Sequence, residues 1–475
     1  MGKSPSQSKA IIWSAIERFS SQGIQFALGI IIARLVAPSC YGLVAMLTIF
    51  ISIGQSLIDS GFANALIHKK DCTDKDYSTV FYFNLAVSVF LYAVFFLGSP
   101  LIAQFYNQPE LIIITRFSTF GFIINSLAIV QRAQFTKNMD FKKQSKATIS
   151  AVLISGVVGV AMAYQGYGVW ALVFQGLINN LVNTVALWLL SSWRPSLVFS
   201  VASFKELYAF GSRLLFTGLL STVYLNLYTL VIGKFFSSTQ LGFFNKMQNI
   251  AVFPSKNITS IMSRAVYPKQ CKLQDDNVAL YNNYMQLLSL SSFFIFPLMG
   301  GMAALAKPLV ACLLGEAWLS AWPYLSILCI AYMFDHLQYF NWQMLAVKGR
   351  SDLSLKSEII KKVASVVILL VTIPCGVKIM AIGLIVYAFI DLAIIIPFVH
   401  KVISSITYWA EIKVIARPFL LTLAMAASIV LFLVVISNIY IQLFGGFIIG
   451  CLVYLLIAYF MKMPELKYYL NKIHR

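Results

Sequence analysis

Residues 79–104 read TVFYFNLAVSVFLYAVFFLGSPLIAQ and contain no Asp, Glu, Lys or Arg. A helix needs about 20 consecutive apolar residues to cross the hydrocarbon core of a bilayer, so this run is long enough to span a membrane. The whole chain has the same character, because 59% of its 475 residues are hydrophobic and only 11% are charged. Soluble domains contain about 45–50% apolar and about 25% charged residues. The sequence therefore predicts an all-α membrane protein and excludes a soluble enzyme.

Similar apolar windows recur along the chain and are joined by short connections. They predict about fourteen membrane-spanning helices. The windows are residues 11–33, 41–67, 79–104, 111–131, 147–164, 168–190, 207–233, 241–265, 284–313, 322–346, 359–377, 379–399, 414–437 and 441–461. The window 284–313 contains Pro297 and Pro308, which favour a kink in that span.

The positions of the positive charges predict the orientation of these spans. The chain has 36 Lys and Arg against 17 Asp and Glu, for a net charge of +19. If the N-terminus is cytoplasmic, most Lys and Arg, Arg132 and Lys361 among them, fall in cytoplasmic segments, as the positive-inside rule requires. The segments on the other side hold only Arg34, Lys234, Lys307 and Lys378. We therefore expect both termini in the cytoplasm, membrane lipids as partners of the basic segments, and no nucleic acid.

A weak internal repeat relates two parts of the chain at an offset of 200 residues. Residues 32–34 and Gly42 correspond to residues 232–234 and Gly242. Two units with the same even number of spans have the same orientation, a pattern found in transporters whose substrate site lies between the halves. The repeat predicts an N-terminal six-helix lobe at 1–190, a C-terminal six-helix lobe at 207–400, and two additional helices with a cytoplasmic tail at 401–475.

Several cations lie inside the predicted spans. A charge at the bilayer centre costs about 2.5–3.5 kcal/mol on insertion scales, so each one needs a partner or a function. Lys246, Asn249 and Lys256 fall on one broad face of the span 241–265. Together with Arg18 of the first span, they form a candidate site for pyrophosphate or another anion between the two lobes. The alternatives for a single member are an ion pair, as between Arg18 and Glu17, or a snorkelling side chain.

Asp335 and His336 lie near the middle of the span 322–346. A carboxylate and an imidazole at that depth, like Glu17 in the first span, are candidates for binding a coupling ion, H+ or Na+. The alternative is an interhelical hydrogen-bond network. Asp59, followed by Ser60 and Gly61, indicates a site of helix packing or a helix break. The cysteine and histidine spacing predicts no disulfide, no metal site and no other cofactor.

Several short motifs are distributed over most of the chain. They are ARLVAP at 33–38, YGLVAM at 41–46, DSGF at 59–62, GVWAL at 168–172, WRP at 193–195, FGS at 210–212, LGFFNK at 241–246 and LAVKGR at 345–350. As a set they resemble bacterial polysaccharide flippases, which belong to the MOP (multidrug/oligosaccharidyl-lipid/polysaccharide) superfamily. The similarity extends from about residue 10 to about residue 400.

This resemblance implies a fold of two six-helix lobes in a V, with two further C-terminal helices. It implies a flippase that moves undecaprenyl-pyrophosphate-linked oligosaccharide units of O-antigen, capsule or colanic-acid type across the bacterial inner membrane. The cavity cations of the family favour Arg18, Lys246 and Lys256, and a polysaccharide polymerase is an implied partner. The alternatives are a multidrug or small-molecule exporter of the same superfamily, and a membrane polymerase or ligase. The sequence has no catalytic motif, which favours a transporter over an enzyme.

Overall fold

The computed structural model describes residues 21–466, except for the side chains at positions 210, 213, 214, 216 and 217. Helices and their short connections make up this part of the chain, and no β-strand occurs in it. The prediction of an all-α, multi-pass membrane protein is therefore confirmed. Glu17 and Arg18, two of the candidate site residues, lie outside the described residues.

The described residues up to Gly242 form one compact unit, here called the N-terminal unit. Its helices are α1 (Ser21–Leu35), α2 (Pro38–Asp59), α3 (Phe62–His68), α4 (Asp74–Tyr106), α5 (Leu111–Ser126), α6 (Ile129–Lys137), α7 (Phe141–Tyr164), α8 (Val169–Leu190), α9 (Val201–Leu225), α10 (Leu227–Phe235) and the first turn of α11 (Ser238–Lys272).

The described residues from Phe243 onward form the C-terminal unit. It contains the remainder of α11 followed by α12 (Asn277–Ala304), α13 (Ala306–Leu314), α14 (Trp322–Tyr332), α15 (Asp335–Val347), α16 (Ser351–Thr372), α17 (Val377–His400), α18 (Tyr408–Val435) and α19 (Ile439–Phe460). Two short 3-10 helices, Glu316–Ala321 and Ile373–Cys375, complete it.

Every predicted window is mainly helical where the chain is described. Nine helical segments of the described chain are long and apolar enough to cross a membrane, and the number is up to 11 if each of two bent helix pairs is one span. The three other windows correspond to α1, which is described only from Ser21, and to α11 and α16, which carry more charge. The total of about fourteen spans therefore stays a prediction.

Several spans are interrupted by short breaks. Between α2 and α3, Ser60 (φ 45°) and Gly61 (φ 72°) both adopt the left-handed conformation, which ends the helix where Asp59-Ser60-Gly61 indicated a break. The pair α5–α6 is bent by 43°, as is the pair α9–α10. In the window 284–313 the break falls between Ala304 and Ala306, and α12 continues through Pro297.

The helix α9 packs on α2, α3 and α4, which is why it belongs to the N-terminal unit. Lys69 Nζ contributes to this packing by donating to Asp76 Oδ1 at 3.2 Å and to Glu206 Oε2 at 2.9 Å. The hydrogen bond to Glu206 raises the pKa of Lys69 above its usual value. The boundary between the N-terminal and C-terminal units therefore falls after Gly242. The predicted lobe boundary between residues 190 and 207 rests on the sequence repeat and stays a prediction.

The last two helices are integral parts of the C-terminal unit. The helix α18 packs on α12, and α19 packs on α13 and α18. Buried polar contacts accompany this packing, because Tyr284 donates to Glu411 Oε1 at 2.8 Å and Tyr454 donates to the Phe293 carbonyl at 2.9 Å. Glu411 is only 2% exposed, so its carboxylate depends on protein partners rather than on water.

Candidate functional site

The long helix α11 carries three of the candidate anion-binding residues. One side of this helix is buried and carries Phe244, Met247, Ala251 and Ser255. On the other side Asn249 and Lys256 are exposed, and Lys246 is half-buried. The helix therefore presents a polar face, as its sequence pattern predicts, and the apolar positions carry the packing.

Hydrogen bonds hold α11 in place along its buried side. Gln248 Nε2 donates to the Tyr332 hydroxyl at 2.6 Å, and Ser255 Oγ donates to the Tyr332 carbonyl at 3.1 Å. The contact falls at the end of α14, where the span 322–346 is interrupted between Tyr332 and Asp335. The backbone carbonyl released by this break thus obtains a partner from α11.

Asp335 begins α15 directly after this interruption. A carboxylate in the first turn of a helix is stabilised by the helix dipole. The Lys256 ammonium and the Asp391 carboxylate both act on Asp335 electrostatically. The structure thus brings together Lys256 and Asp335, which the sequence assigned to two separate sites.

Asp391, which acts on Asp335 electrostatically, belongs to a buried ion pair. Lys361 Nζ of α16 lies 3.2 Å from Asp391 Oδ1 of α17, and these two residues are 5% and 4% exposed. Glu358, one turn earlier in α16, also contacts the Lys361 ammonium. The sequence counted Lys361, at the start of the apolar window 359–377, with the cytoplasmic segment, whereas in the structure it lies in the middle of α16, which begins at Ser351.

His336 faces a different set of neighbours from those of Asp335. It is fully buried, and its Nδ1 lies 2.9 Å from the Met333 carbonyl while Nε2 lies 3.0 Å from Ser292 Oγ. Because a carbonyl only accepts, Nδ1 carries the hydrogen, and the neutral imidazole then accepts from Ser292 at Nε2. Phe296 and Phe340 pack edge-on to the ring. This environment fits a neutral histidine that joins helices.

The N-terminal unit contains a polar cavity of about 600 Å³. Its lining consists of Ile51, Ser52, Gln55, Ser56, Asp59, Ala63, Ile67, Asn125, Ile129, Arg132, Ala133, Thr136, Asn180 and Thr222. The sequence assigned Arg132 to a cytoplasmic segment. The structure places it in α6, where its Nη2 donates to Asn125 Oδ1 at 3.4 Å.

The bend between α5 and α6 positions Asn125 and Arg132 on this cavity. The carbonyls near the bend are satisfied from α8, since Thr184 Oγ1 donates to the Ile124 carbonyl at 3.0 Å and Trp188 Nε1 donates to the Leu127 carbonyl at 2.8 Å. These bonds allow an irregular backbone at membrane depth without orphaned carbonyls. The signal in the sequence is the polar run from Gln131 to Lys137, which follows the apolar stretch of α5.

The C-terminal unit has an apolar groove of about 660 Å³ between α12, α18 and α19. Residues such as Phe294, Leu298, Leu443 and Phe447 line it. A groove of this composition accommodates hydrocarbon and offers almost no hydrogen bonds. Within residues 21–466, no group of three or more His, Cys, Asp and Glu side chains is arranged to hold a metal ion.

Solved structures of membrane transporters share this fold. The structure matches that of the lipid II flippase MurJ in an inward closed conformation, with a TM-score of 0.78 and 15% identity, over 95% of this chain and 99% of that chain. It also matches an inward-facing multidrug resistance MATE family transporter of the MOP superfamily, with a TM-score of 0.61 and 16% identity, over 84% and 98% of the two chains.

The family follows from the sequence comparison. Residues 31–323 match the model of the polysaccharide biosynthesis protein family, and the chain belongs to that family. The lipopolysaccharide biosynthesis protein WzxC of Escherichia coli K12 is 28% identical over 355 residues, which cover 74% of this chain and 71% of that protein. The resemblance to polysaccharide flippases of the MOP superfamily is thereby confirmed.

Proposed function

We propose that this protein is a flippase that moves undecaprenyl-pyrophosphate-linked oligosaccharide units from the inner to the outer leaflet of the bacterial inner membrane. The observation that carries the proposal is the family match over residues 31–323, combined with the MurJ-like fold over 95% of the chain. Both termini lie in the cytoplasm, and the protein works by alternating access. It supplies repeat units for surface polysaccharide, so that a polymerase acting on the outer leaflet is its functional partner.

The pyrophosphate of the substrate binds at the polar face of α11 in this proposal. An anionic headgroup loses its hydration when it leaves water, and fixed cations replace the lost interactions. Lys246 and Lys256 provide two such cations on one helix, and Asn249 provides amide donors between them. Arg18 is the third cation of the proposed site. The half-buried position of Lys246 favours this role, because a partly desolvated ammonium gains most from an anionic ligand.

The same proposal couples flipping to an ion bound at Asp335. Lys256 acts electrostatically on the Asp335 carboxyl, so a phosphate that binds Lys256 weakens the effect of this ammonium on the carboxyl. Asp335 then binds H+ or Na+ more readily, and a bound cation in turn leaves Lys256 more available to phosphate. Such an effect is reciprocal by thermodynamic linkage. Lys256 thus belongs to the anion site and also acts on the ion site at Asp335, which couples phosphate binding directly to ion binding.

The apolar groove between α12, α18 and α19 provides a surface for the polyprenyl chain of the substrate. Its lining is apolar, whereas the cavity of the N-terminal unit is polar. A lipid-linked oligosaccharide has both characters in one molecule, and the chain offers a matching surface for each. Cationic drugs would instead favour carboxylates without neighbouring cations.

The test is leaflet accessibility of a fluorescent undecaprenyl-pyrophosphate-linked oligosaccharide in proteoliposomes. We expect flipping by the wild type, at least a tenfold slower rate for Lys246→Ala, and an unchanged rate for the matched control Lys269→Ala. Lys269 lies on the same helix at its exposed end. Equal rates for wild type and Lys246→Ala would refute the anion site. Absence of flipping by the reconstituted wild type, together with export of cationic dyes or chain elongation of the sugar, would refute the flippase.

A further inference from the structure

We propose that the polar cavity of the N-terminal unit binds sugar rings of the transported oligosaccharide and contributes to selection among repeat units. The inference rests on the proposed function, because it assigns a second part of the same substrate to a second site. It concerns residues of α2, α3, α5, α6, α8 and α9, and none of them belongs to the proposed pyrophosphate site.

Three interrupted spans meet at this cavity. Asp59 is the last residue of α2, Asn125 lies in the last turn of α5, and Thr222 lies in the last turn of α9. Each of these helices ends at a break within a span. Discontinuous helices in membrane transporters place polar backbone and side-chain groups at substrate sites, where an unbroken helix would present only side chains.

The charges of the lining favour an uncharged ligand. Among the described residues that line it, Arg132 and Asp59 are the only ionisable ones, and they interact electrostatically with each other. The Arg132 guanidinium also donates to Asn125. The described part of the lining therefore has one positive and one negative residue, whereas the polar face of α11 carries an excess of cations, which a pyrophosphate favours.

The polar groups suit hydroxyls that both donate and accept. The amides of Gln55, Asn125 and Asn180 each offer two donor hydrogens and an acceptor oxygen. The buried Asp59 Oδ1 has no hydrogen-bond partner among the described residues. Such an acceptor costs free energy unless a ligand or water supplies a donor, and a sugar hydroxyl supplies one.

The size and the apolar part of the cavity also fit a saccharide. Its volume of about 600 Å³ falls within the range of about 300–1,000 Å³ that is typical of small-molecule sites. Ile51, Ile67 and Ile129 give it apolar patches, against which the C–H faces of a sugar ring can pack. Polar groups then define the positions of the hydroxyls.

The experiment measures binding of two lipids to the full-length protein in nanodiscs. The first probe is undecaprenyl pyrophosphate, and the second is the glycosylated form extracted from host cells that lack this protein. We expect Asn180→Leu and Gln55→Met to bind the glycosylated lipid about 3- to 10-fold more weakly, because each loses hydrogen bonds to the sugar. Their affinity for undecaprenyl pyrophosphate should be unchanged.

The matched control is the variant Asn179→Leu, which replaces the asparagine next to Asn180 in α8. Asn179 donates to Ser155 Oγ at 3.2 Å and does not line the cavity. The control variant should therefore bind both lipids with the affinity of the wild type. The sugar site is refuted if both cavity variants bind the glycosylated lipid like the wild type, or if they lose affinity for both lipids equally. If the wild type binds neither lipid, the proposed function fails and this inference fails with it.

Discussion

Gly42 of α2 and Gly242 of α11 make reciprocal contacts, because each glycine packs against the first residue of the other's helix. A Cβ atom at Gly42 would lie 1.8 Å from the Ser238 carbonyl oxygen, and one at Gly242 would lie 2.0 Å from the Pro38 carbonyl oxygen. The four residues form two pairs at the offset of 200 that relates the two halves of the chain. The glycines recognised as a repeat in the sequence thus perform the same packing function in space.

Substitution of either glycine should destabilise the protein. We expect Gly242→Ala to lower the free energy of unfolding by about 1–3 kcal/mol, because the backbone of α2 must move to admit the methyl group. Thermal unfolding in detergent measures the effect. Gly176→Ala is the control, since a Cβ at Gly176 meets no atom within 4 Å and alanine favours the helix. A stability of Gly242→Ala equal to that of Gly176→Ala would contradict the close contact.

The buried pair of Lys361 and Asp391 predicts a large asymmetry between single and double substitution. Lys361→Met leaves a buried carboxylate without its cation and should cost about 3–5 kcal/mol. The double variant Lys361→Met/Asp391→Leu should recover most of this loss, because both charges are then gone. Lys356→Met, on the exposed side of α16, should change stability by less than about 0.5 kcal/mol. Chemical denaturation of the four proteins checks the prediction, and an equally unstable double variant would refute it.

Substitutions of Asp335 and His336 should differ in their effects on ion coupling and on stability, although the two residues are adjacent in sequence. We expect Asp335→Asn to abolish the dependence of flipping on an imposed H+ or Na+ gradient, because it removes the charge that binds the ion. His336→Asn should retain the gradient dependence and lower the melting temperature, since the imidazole has structural hydrogen bonds on both nitrogens. The measurement is flipping rate in proteoliposomes with each gradient. Loss of coupling in His336→Asn alone would reverse the assignment.

The contact between Tyr284 and Glu411 should stabilise the packing of α12 on α18. Tyr284→Phe removes the donor to a buried carboxyl and should cost about 1–3 kcal/mol. Tyr281→Phe, one turn away on the same helix at a half-buried position, should change stability much less. Thermal unfolding in detergent compares the two variants, and equal melting temperatures would show that Glu411 does not depend on this hydroxyl.

Much of the helix inventory could be predicted from the sequence, because a span is a local property. A run such as 79–104 must be helical in a bilayer whatever its neighbours are, since no water is present to satisfy its backbone. The breaks within the spans were harder to predict from the sequence. Asp59-Ser60-Gly61 indicated one, whereas the 43° bend between α9 and α10 was not predicted.

The composition, the positive-charge asymmetry and the motifs determined by themselves that this is a multi-pass membrane protein of the polysaccharide flippase type. These signals depend only on the order of residues along the chain. The tertiary structure alone decided that Lys361 pairs with Asp391, that Lys256 acts on Asp335, and that Asp59 and Arg132 share a cavity. Such pairings join different helices, and their partners are selected by packing and by the free energy cost of leaving a buried charge unpaired.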